Sequence, residues 1–367
     1  MKRQTSIFFL LGWNDYRIFQ GISRYANQAG WQMDTRHFFR NLFPTDRSFR
    51  GMIAMYHSNP AVRAYIRKKA KSVPTVILGT QSAGIRAPQV MPNDRQAGEM
   101  AAQHLSDLFH KNYGWFACDV DPSGKARKAS FEKKVRKLGF SCRDLSCGAK
   151  PLNEKTVLHK LKECPKPIGV MARDDHDASV LISLCQQAEI LIPEEVSIVG
   201  VGDLESLCAF SPVPISSISL NMEELGFQSA AVLDQMMQGR PVPPRTIIPA
   251  GPLHRRFSTD CFALTDPHLK KAIKIIDTRF PEPLTANTIA LASGISRRQL
   301  YKLFSSEMQC TPYHYLLKVR LNHARDLIRN NALNFSKIAK ASGLNNRRTL
   351  NRAFTRSFGI SPSKADL

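Results

Sequence analysis

A short basic helix pattern occurs twice near the end of the sequence, and this repeat constrains the fold more than any other feature. "IALASGISRRQLYKLF" covers residues 289–304, and "IAKASGLNNRRTLNRAF" covers residues 338–354. Both follow the frame I-A-x-A-S-G-[IL], then basic residues, then Leu and Phe four apart. A short helix, a glycine that permits a tight turn, and a Ser or Asn placed to cap the next helix predict two helix-turn-helix units.

The second helix of each unit has an apolar side and a polar side. In the first copy Leu300, Leu303 and Phe304 point inward by their spacing. Arg can read guanine in the major groove, Asn can read adenine, and Lys and Thr can hold phosphates. The opposite, outward positions carry such side chains, namely Arg298, Tyr301, Lys302 and Ser305 in the first copy and Arg348, Asn351, Arg352 and Thr355 in the second.

The charge of the chain is concentrated in the same region. The protein has 52 Lys and Arg against 30 Asp and Glu, a net charge of +22, and residues 266–367 carry +12 of it. A single basic helix is most often an ordinary solvated face, but duplication and regional charge together favour double-stranded DNA as the partner. A long amphipathic helix predicted at residues 311–331 would hold the two units so that they enter successive major grooves about 34 Å apart.

Residues from about 267 to 364, including "FTRSFGISPSKA", resemble the DNA-binding domain of the AraC/XylS family of transcription regulators. The resemblance covers both helix-turn-helix units and the one extra residue in the second. It implies an all-α domain in which Arg298, Tyr301 and Lys302 read bases from the first unit. From the second unit it implies base reading by Arg347, Arg348 and Arg352.

The first 240 residues alternate short apolar runs with helical patterns. The runs "SIFFLLG", "GMIAMY", "VPTVILG", "YGWFACD", "IGVMARD" and "VSIVGVGD" are almost wholly apolar, as strands buried on both faces of a parallel sheet must be. This alternation predicts an α/β fold with a doubly wound sheet. Ligands of such folds bind beyond the carboxyl ends of the strands.

Polar side chains follow several of these predicted strands or open the next helix. Carboxylate, amide and guanidinium groups beside an aromatic ring suit a polyhydroxylated ligand, because each hydroxyl both donates and accepts hydrogen bonds. For Asn93, Asp94 and Asp174, helix capping is an equally good interpretation. The candidate ligand-binding residues are Trp13, Asn14, Asp15, Asn93, Asp94, Arg127, Asp174 and Asp203.

This part of the chain resembles the periplasmic-binding-protein-like effector domain of LacI-type repressors, mainly through residues 191–239. The resemblance implies two lobes around a sugar cleft, crossings between the lobes near residues 110 and 218, and ligand contacts from Arg127 and Asp174. Its combination with an AraC-type domain resembles the group of xylose-operon regulators. One departure is Gly202, where that group carries Asp, with Asp203 one place later.

The expected organisation is a sugar-sensing domain at residues 1–249, a Pro-rich linker at 250–266 and a DNA-binding domain at 267–367. The expected function is a sugar-responsive DNA-binding regulator, with a pentose favoured as effector, acting as a homodimer. Because no apolar run approaches the length of a membrane span, we expect a cytoplasmic protein with no membrane partner. The eight scattered cysteines suit reduced thiols rather than a metal site.

Two other functions stay open from the sequence alone. One is a sugar-processing α/β enzyme with an accessory DNA-binding module, and the other is an architectural DNA binder without an effector. "GVGDLES" at residues 200–206 is a dinucleotide-binding fingerprint without its third glycine, and no phosphate-binding P-loop motif occurs. We therefore expect no catalytic residues, no metal and no cofactor.

Overall fold

The computed structural model describes residues 5–10, 15–34, 49–56, 59–80, 84–146, 152–264, 266–308, 310–329 and 334–364. The chain divides into two compact units, Met1–Cys261 and Phe262–Leu367. We call them the N-terminal unit and the C-terminal unit and describe each by itself.

The N-terminal unit alternates strands and helices. In chain order they are β1 (Thr5–Leu10), α1 (Tyr16–Ala29), β2 (Trp31–Asp34), β3 (Gly51–Met55), α2 (Pro60–Lys69), β4 (Thr75–Leu78), β5 (Gln89–Pro92), α3 (Asp94–Asp107), β6 (Asn112–Phe116), α4 (Pro122–Lys137), β7 (Cys142–Asp144), α5 (Glu154–Glu163), β8 (Ile168–Ala172), α6 (Asp175–Gln187), β9 (Val196–Gly202), α7 (Glu205–Cys208), β10 (Ser216–Ser219), α8 (Met222–Met237), β11 (Arg245–Ile248) and β12 (Leu253–His254). A 3₁₀ turn, Phe257–Thr259, follows β12.

The first sheet has six parallel strands in the order β11-β5-β4-β3-β1-β2. Inside it, the four side chains from Ile7 to Leu10 of β1 have no exposed surface. Ile7 and Phe9 belong to one apolar cluster, while Phe8 and Leu10 belong to another. Both faces of the sheet are therefore covered, which explains why this stretch is apolar without alternation.

The second sheet also has six strands, in the order β12-β10-β9-β8-β6-β7. All neighbours are parallel except β10 and the short β12, which pair antiparallel. Val199 of β9 belongs to one apolar cluster and Ile198 to another, so this sheet too is covered on both faces. The α/β class with parallel sheets, predicted from the apolar runs, is confirmed. Each sheet with its helices forms one lobe, the first lobe and the second lobe.

The chain passes between the lobes three times. Helix α3 packs on α4 and on strands of the second sheet, so the first crossing lies at Asn93, directly after β5. The expectation of a crossing near residue 110 is wrong, because α3 itself belongs to the second lobe. The second crossing, between β10 and α8, lies close to the expected residue 218, and the third joins β11 to β12.

The helices that follow the first two crossings are held by glycines. A Cβ atom on Gly226 of α8 would lie 2.1 Å from the carbonyl oxygen of Ile18 in α1. A Cβ atom on Gly98 of α3 would lie 2.3 Å from the carbonyl oxygen of Arg127 in α4. Any larger residue would push these helices apart. The two glycines therefore let α3 pack closely on α4 and α8 pack closely on α1.

The C-terminal unit is helical in its described residues. Its elements are α9 (Pro267–Arg279), α10 (Ala286–Ser293), α11 (Arg297–Met308), α12 (Pro312–Arg329), α13 (Phe335–Ala341), α14 (Arg347–Phe358) and a 3₁₀ turn, Pro362–Lys364. Helices α10 and α11 form the first predicted helix-turn-helix, α13 and α14 form the second, and α12 is the predicted long helix between them. The all-α class of this region is confirmed.

The turns of the two helix-turn-helix units follow the sequence pattern closely. Gly294 and Gly343 have φ values of +77° and +70°, a left-handed conformation that favours glycine. Ser296 accepts a hydrogen bond from the Gln299 N–H at 3.2 Å, and Asn346 accepts one from the Thr349 N–H at 2.9 Å. These are the caps that the sequence predicted for the second helix of each unit.

None of the described helices combines the length and the apolar character that a membrane span needs.

Candidate functional site

A cavity of about 510 Å³ lies between the two lobes of the N-terminal unit. Its size falls within the range of small-molecule sites. Apolar side chains such as Ile18, Leu78 and Val201 line part of it. The polar side chains that line it come from both lobes: Asp15, Arg17, Tyr56 and Thr80 from the first, and Asp121, Ser123, Arg127, Asp174, Asp175 and His176 from the second.

Arg127 is the centre of one polar wall of the cavity. It is only 7% exposed, and its Nε donates to Asp94 at 2.8 Å while Nη1 donates to the carbonyl oxygen of Arg173 at 2.6 Å. The Thr80 hydroxyl lies 3.4 Å from Asp94 and 2.5 Å from the Ser123 hydroxyl. Because Thr80 follows β4 and Ser123 lies in α4, this group of polar side chains joins the two lobes.

Behind this wall, Arg173 holds three carboxylates. Its guanidinium lies 3.1 Å from Asp121, 3.1 Å from Asp174 and 2.9 Å from Asp177. Burial disfavours the charge of Arg173, but the three carboxylates outweigh it and keep its pKa above the usual value. Burial, followed by the charge of Asp174, raises the pKa of Asp177 despite the neighbouring arginine. Two carboxylates on the cavity wall are thus fixed by an arginine that does not line the cavity.

On the opposite side, Arg17 of α1 reaches from the first lobe to the second. Asp15 accepts hydrogen bonds from Arg17 Nε and Nη2 at 3.0 and 2.7 Å. Arg17 Nη1 donates to the carbonyl oxygens of Gly202 at 2.9 Å and Asp203 at 2.8 Å. Burial would lower the pKa of Arg17, but the hydrogen bond and charge of Asp15 outweigh it and raise that pKa. The guanidinium therefore stays charged and bridges the lobes.

Asp175 also lines the cavity, as a buried carboxyl with 3% of its surface exposed. It accepts hydrogen bonds from the Ser217 hydroxyl at 2.5 Å and the Leu204 N–H at 2.8 Å. Burial raises its pKa, although these hydrogen bonds act in the other direction. A Cβ atom on Gly200 would lie 2.3 Å from this carboxylate, so a glycine of the "GVGD" stretch makes room for Asp175.

Three of the predicted ligand-binding residues, Asp15, Arg127 and Asp174, line the cavity. Asp15 also caps α1 by accepting from the Arg17 N–H at 3.0 Å, and Asp174 caps α6 by accepting from the Asp177 N–H at 2.9 Å. The capping and cavity-lining interpretations are therefore both satisfied at these two aspartates, because a helix N-terminus faces the cleft.

Three others do not line the cavity. Asn93 caps α3 at the first crossing, and Asp94 lies behind Arg127 and orients it. Asp203 was predicted to contact the ligand, but it does not line the cavity. Its carboxylate pairs instead with the strap formed by β12 and the 3₁₀ turn after it (residues 253–261). Trp13 and Asn14 lie outside the described residues.

Asp203 is instead part of an ion-pair group with that strap. Its carboxylate lies 2.6 Å from His254 Nδ1 and 2.9 Å from Arg256 Nη2. His254 and Arg256 stand about fifty residues later in the sequence, so a strand-end position alone could not reveal this orientation.

Seven polar residues line the cavity that were not among the predicted ligand-binding residues: Arg17, Tyr56, Thr80, Asp121, Ser123, Asp175 and His176. Tyr56 directly follows β3, and Thr80 stands two residues after β4. For Tyr56 and Thr80 the signal that would have found them is this position, because ligands of parallel sheets bind beyond the carboxyl ends of the strands. Ser123 lies in the first turn of α4, and no strand-end signal marks it.

A second candidate site is formed by the exposed faces of α11 and α14 in the C-terminal unit. Leu300, Phe304, Leu350 and Phe354 have no exposed surface, as their inward positions predicted. The side chains predicted to contact DNA lie on the other face. Tyr301 is half-buried, and the exposed ones are Arg298, Lys302, Arg347, Arg348, Asn351 and Arg352.

Two of the arginines at the starts of these helices lie over aromatic rings. The Arg297 guanidinium is 5.6 Å from the centre of the Tyr301 ring, and the Arg347 guanidinium is 5.5 Å from the Phe335 ring. Such stacking restrains a long side chain without neutralising it. The two faces thus present cations that can hold phosphates or base edges.

Comparison with known protein families gives two matches. Residues 102–259 match a family described as a periplasmic binding protein-like domain. Residues 289–366 match a helix-turn-helix domain. The first match covers the second lobe and parts of the first, and the second covers both helix-turn-helix units.

Two regulatory proteins are similar to this chain in sequence. The xylose operon regulatory protein of Haemophilus influenzae is 23% identical over 369 residues, which cover 95% of this chain and 94% of that protein. The xylose operon regulatory protein of Escherichia coli K12 is 25% identical over 205 residues, or 56% of this chain and 52% of that protein.

Solved structures give the same architecture. A structure described as a xylose-binding transcription activator superposes with a TM-score of 0.61 at 20% identity and covers 100% of this chain and 98% of its own. A LacI family regulator from Enterococcus faecium, solved with bound ribose, superposes with a TM-score of 0.56 at 21% identity, over 71% of this chain and 100% of its own.

These similarities agree with the geometry of both candidate sites. The chain has a periplasmic binding protein-like domain followed by a helix-turn-helix domain, and over 95% of its length it is similar to a xylose operon regulatory protein.

Proposed function

We propose that this protein is a sugar-responsive transcriptional regulator. The C-terminal unit binds operator DNA through its two helix-turn-helix units, and the N-terminal unit binds a small sugar between its lobes. The observation that carries the proposal is the cavity of about 510 Å³, lined by polar groups of both lobes, in the same chain as two exposed basic helices.

The polar groups of the cavity suit an uncharged, polyhydroxylated ligand. Asp15 and Asp174 supply acceptor oxygens, Arg127 supplies donors, and the hydroxyls of Thr80 and Ser123 can do both. Asp94 has a positioning role through Arg127. By their place in the sequence, Trp13 and Asn14 stay predicted ligand contacts. The names of the similar regulators, which refer to xylose and ribose, favour a pentose.

The exposed faces of α11 and α14 are the proposed base-reading surfaces. Long cationic side chains reach base edges and phosphates from helices that enter the major groove. The +12 net charge of residues 266–367 supplies the non-specific part of the affinity. The proposed contacts are Arg298, Tyr301 and Lys302 in the first unit and Arg347, Arg348, Asn351 and Arg352 in the second.

The protein acts by binding rather than by catalysis. Its homologues are transcriptional regulators, and no observation favours the sugar-processing enzyme that the sequence left open. We place the protein in the cytoplasm and expect it to act as a homodimer. In a dimer, a rearrangement of the lobes can alter the spacing of the two DNA-binding units. A sugar shifts the equilibrium between the closed and open arrangements of the lobes to the extent that it binds the two with different affinity.

A thermal-shift screen of the full chain against pentoses, hexoses, deoxysugars and sugar phosphates tests the proposal. A sugar present at 100 times its Kd stabilises the protein by about 2.7 kcal/mol. We expect one pentose to give a clear upward shift in Tm. If no sugar shifts the Tm of well-folded protein, the cleft does not bind sugars and the effector part of the proposal is wrong.

Asp174→Asn supplies a matched variant for that screen. Asparagine keeps the side-chain oxygen that caps α6, so the fold is retained, but the negative acceptor on the cavity wall is lost. We expect this variant to lose most of the sugar-dependent shift. Arg24→Lys is the control, because Arg24 pairs with Glu223 on an exposed surface of the first lobe. This substitution should leave the sugar-dependent shift in Tm unchanged.

A further inference from the structure

The last residue of β9 and the residue after it have an unusual backbone conformation. Gly202 has φ of +125° and Asp203 has φ of +52°. Glycine and aspartate both adopt positive φ values more readily than most residues, so contacts with neighbouring residues decide whether this turn keeps its conformation. The contacts of the Gly202–Asp203 turn lie on two sides.

On the cavity side, the contact comes from the other lobe. Arg17 of α1 donates to the carbonyl oxygens of both residues of the turn, at 2.9 and 2.8 Å. Arg17 is itself held by Asp15, a cavity-lining residue, through two hydrogen bonds. The turn therefore keeps these bonds only while the two lobes stay close enough for Arg17 to span the cleft.

On the far side, the contact comes from the strap, residues 253–261. The Asp203 carboxylate is 11% exposed and pairs with both His254 and Arg256. Arg256 Nη1 also donates to the carbonyl oxygen of Ile215 at 2.9 Å, and its N–H donates to the Ser216 hydroxyl oxygen at 2.7 Å.

The strap continues this network toward its own end. The Ser216 hydroxyl lies 2.7 Å from the Thr259 hydroxyl, and Ser258 donates to the carbonyl oxygen of Ile198 at 2.6 Å. Cys261 Sγ donates to the carbonyl oxygen of Pro193 at 3.2 Å. Residue 262 begins the C-terminal unit, so the strap directly precedes that unit in the chain.

We infer that the Gly202–Asp203 turn is a relay that couples closure of the cleft, through Arg17, to the strap that leads into the DNA-binding unit. This inference rests on the proposed function. When the lobes separate, Arg17 leaves the two carbonyls, the turn becomes free to change its conformation, and the Asp203 carboxylate loosens its hold on His254 and Arg256. Asp203 is thus a positioning residue for regulation and makes no ligand contact.

Hydrogen exchange of the full chain, with no sugar and no DNA added, tests the relay. Arg17→Ala removes the contact across the cleft, and we expect amides of residues 253–261 to exchange about tenfold faster. Amides of β8 (Ile168–Ala172) are the internal reference and should not change. Arg17→Lys keeps one donor for the carbonyls and should restore part of the protection.

Arg24→Ala is the matched control on the same helix. Arg24 pairs with Glu223 and Glu224 of α8 within the first lobe, so its loss should leave residues 253–261 unaffected. Unchanged exchange of the strap in Arg17→Ala, or an equal increase in Arg24→Ala, overturns the relay. Failure of the sugar screen would instead overturn the proposed function, because the exchange measurement involves no ligand.

A second variant approaches the relay from the strap. In Asp203→Asn the new side chain tolerates the left-handed conformation, but the charge that pairs with His254 and Arg256 is lost. We expect faster exchange in residues 253–261 with unchanged sugar affinity in the thermal-shift screen. A loss of sugar affinity with an unchanged strap would show that Asp203 contacts the ligand, and the relay would be wrong.

Discussion

The two units of the protein use charged side chains in opposite ways. Around the cleft of the N-terminal unit, arginines are matched to carboxylates: Arg17 to Asp15, Arg127 to Asp94, and Arg173 to a group of three. On the recognition helices of the C-terminal unit, Arg348 and Arg352 are exposed, and neither forms an ion pair with a carboxylate of the described residues.

This difference follows from what each site must do. A cleft that binds a small neutral ligand needs fixed geometry, and matched buried charges provide it. A surface that binds a polyanion needs unmatched cations, because each one that meets a phosphate releases a counterion. Removing an arginine should therefore damage the fold in the first unit and the binding of DNA in the second.

The largest expected effect is from Arg173→Leu. Its side chain is 15% exposed, and its loss leaves the carboxylates of Asp121, Asp174 and Asp177 close together without a cation. Breaking a buried pair in this way costs about 3 to 5 kcal/mol. Urea unfolding followed by tryptophan fluorescence measures it, since all three tryptophans precede residue 116 and report on the N-terminal unit alone.

Arg24→Leu is the control for this comparison. Arg24 is 46% exposed and pairs with surface glutamates, so its removal should change the free energy of unfolding by less than about 0.5 kcal/mol. If both substitutions lowered the free energy of unfolding equally, burial of the Arg173 ion pairs would not determine how much they contribute to stability.

The next effect concerns buried histidines of the second lobe. Burial and then the charge of Arg255 lower the pKa of His104 to about 4, and burial and then the charge of His104 lower that of His110 to about 3. Below about pH 6.5 the unfolded chain takes up protons that the folded chain does not. Stability is therefore lost as the pH falls, by about 1 to 2 kcal/mol for each histidine at pH 5.

Carboxyl groups with raised pKa, such as Asp175 and Asp177, act in the opposite direction at the same pH. The measurement is therefore the difference in unfolding free energy between His110→Leu and the unsubstituted protein, taken at about pH 7.5 and about pH 5. We expect this difference to move by about 1 to 2 kcal/mol in favour of the variant at the lower pH. A pH-independent difference would mean that His110 is protonated equally in both states.

The smallest effect on stability, but a large one on DNA, is expected from Arg348→Ala. Its side chain is exposed, so the Tm should stay the same, while specific DNA binding weakens by about 1 to 3 kcal/mol in a gel-shift titration. Arg279→Ala is the control, since it removes the same charge from an exposed pair with Glu282 outside the recognition helices. Equal losses in both variants would assign only a general electrostatic role to Arg348.

The same contrast explains what the sequence could predict. In the C-terminal unit the information is local: Gly294, Gly343, Ser296 and Asn346 act on their own turns, and the predicted helices appear within a few residues of their expected bounds. Six strands of the N-terminal unit, β1, β3, β4, β6, β8 and β9, were equally predictable, because burial on both faces makes them apolar throughout. Strands such as β7 and β11 are largely exposed and lack this apolar signal.

The polar geometry of the cleft was only partly predictable, because it depends on contacts distant in sequence. Both Asp174 and Asp203 follow strands, but only Asp174 lines the cavity. Asp203 pairs instead with His254 and Arg256, which lie about fifty residues later in the sequence. The position of the first crossing was missed for a similar reason. Whether α3 belongs to one lobe or the other is decided by the close contact of Gly98 with α4, which no local pattern encodes.

The three crossings between the lobes have a consequence for the ancestry of such chains. Every strand that the structure describes ends before residue 262, so both sheets are complete without the C-terminal unit. A single recombination event directly after the strap would replace the whole N-terminal unit by another and would interrupt neither sheet. The lobes themselves, interleaved along the chain, would be inherited together.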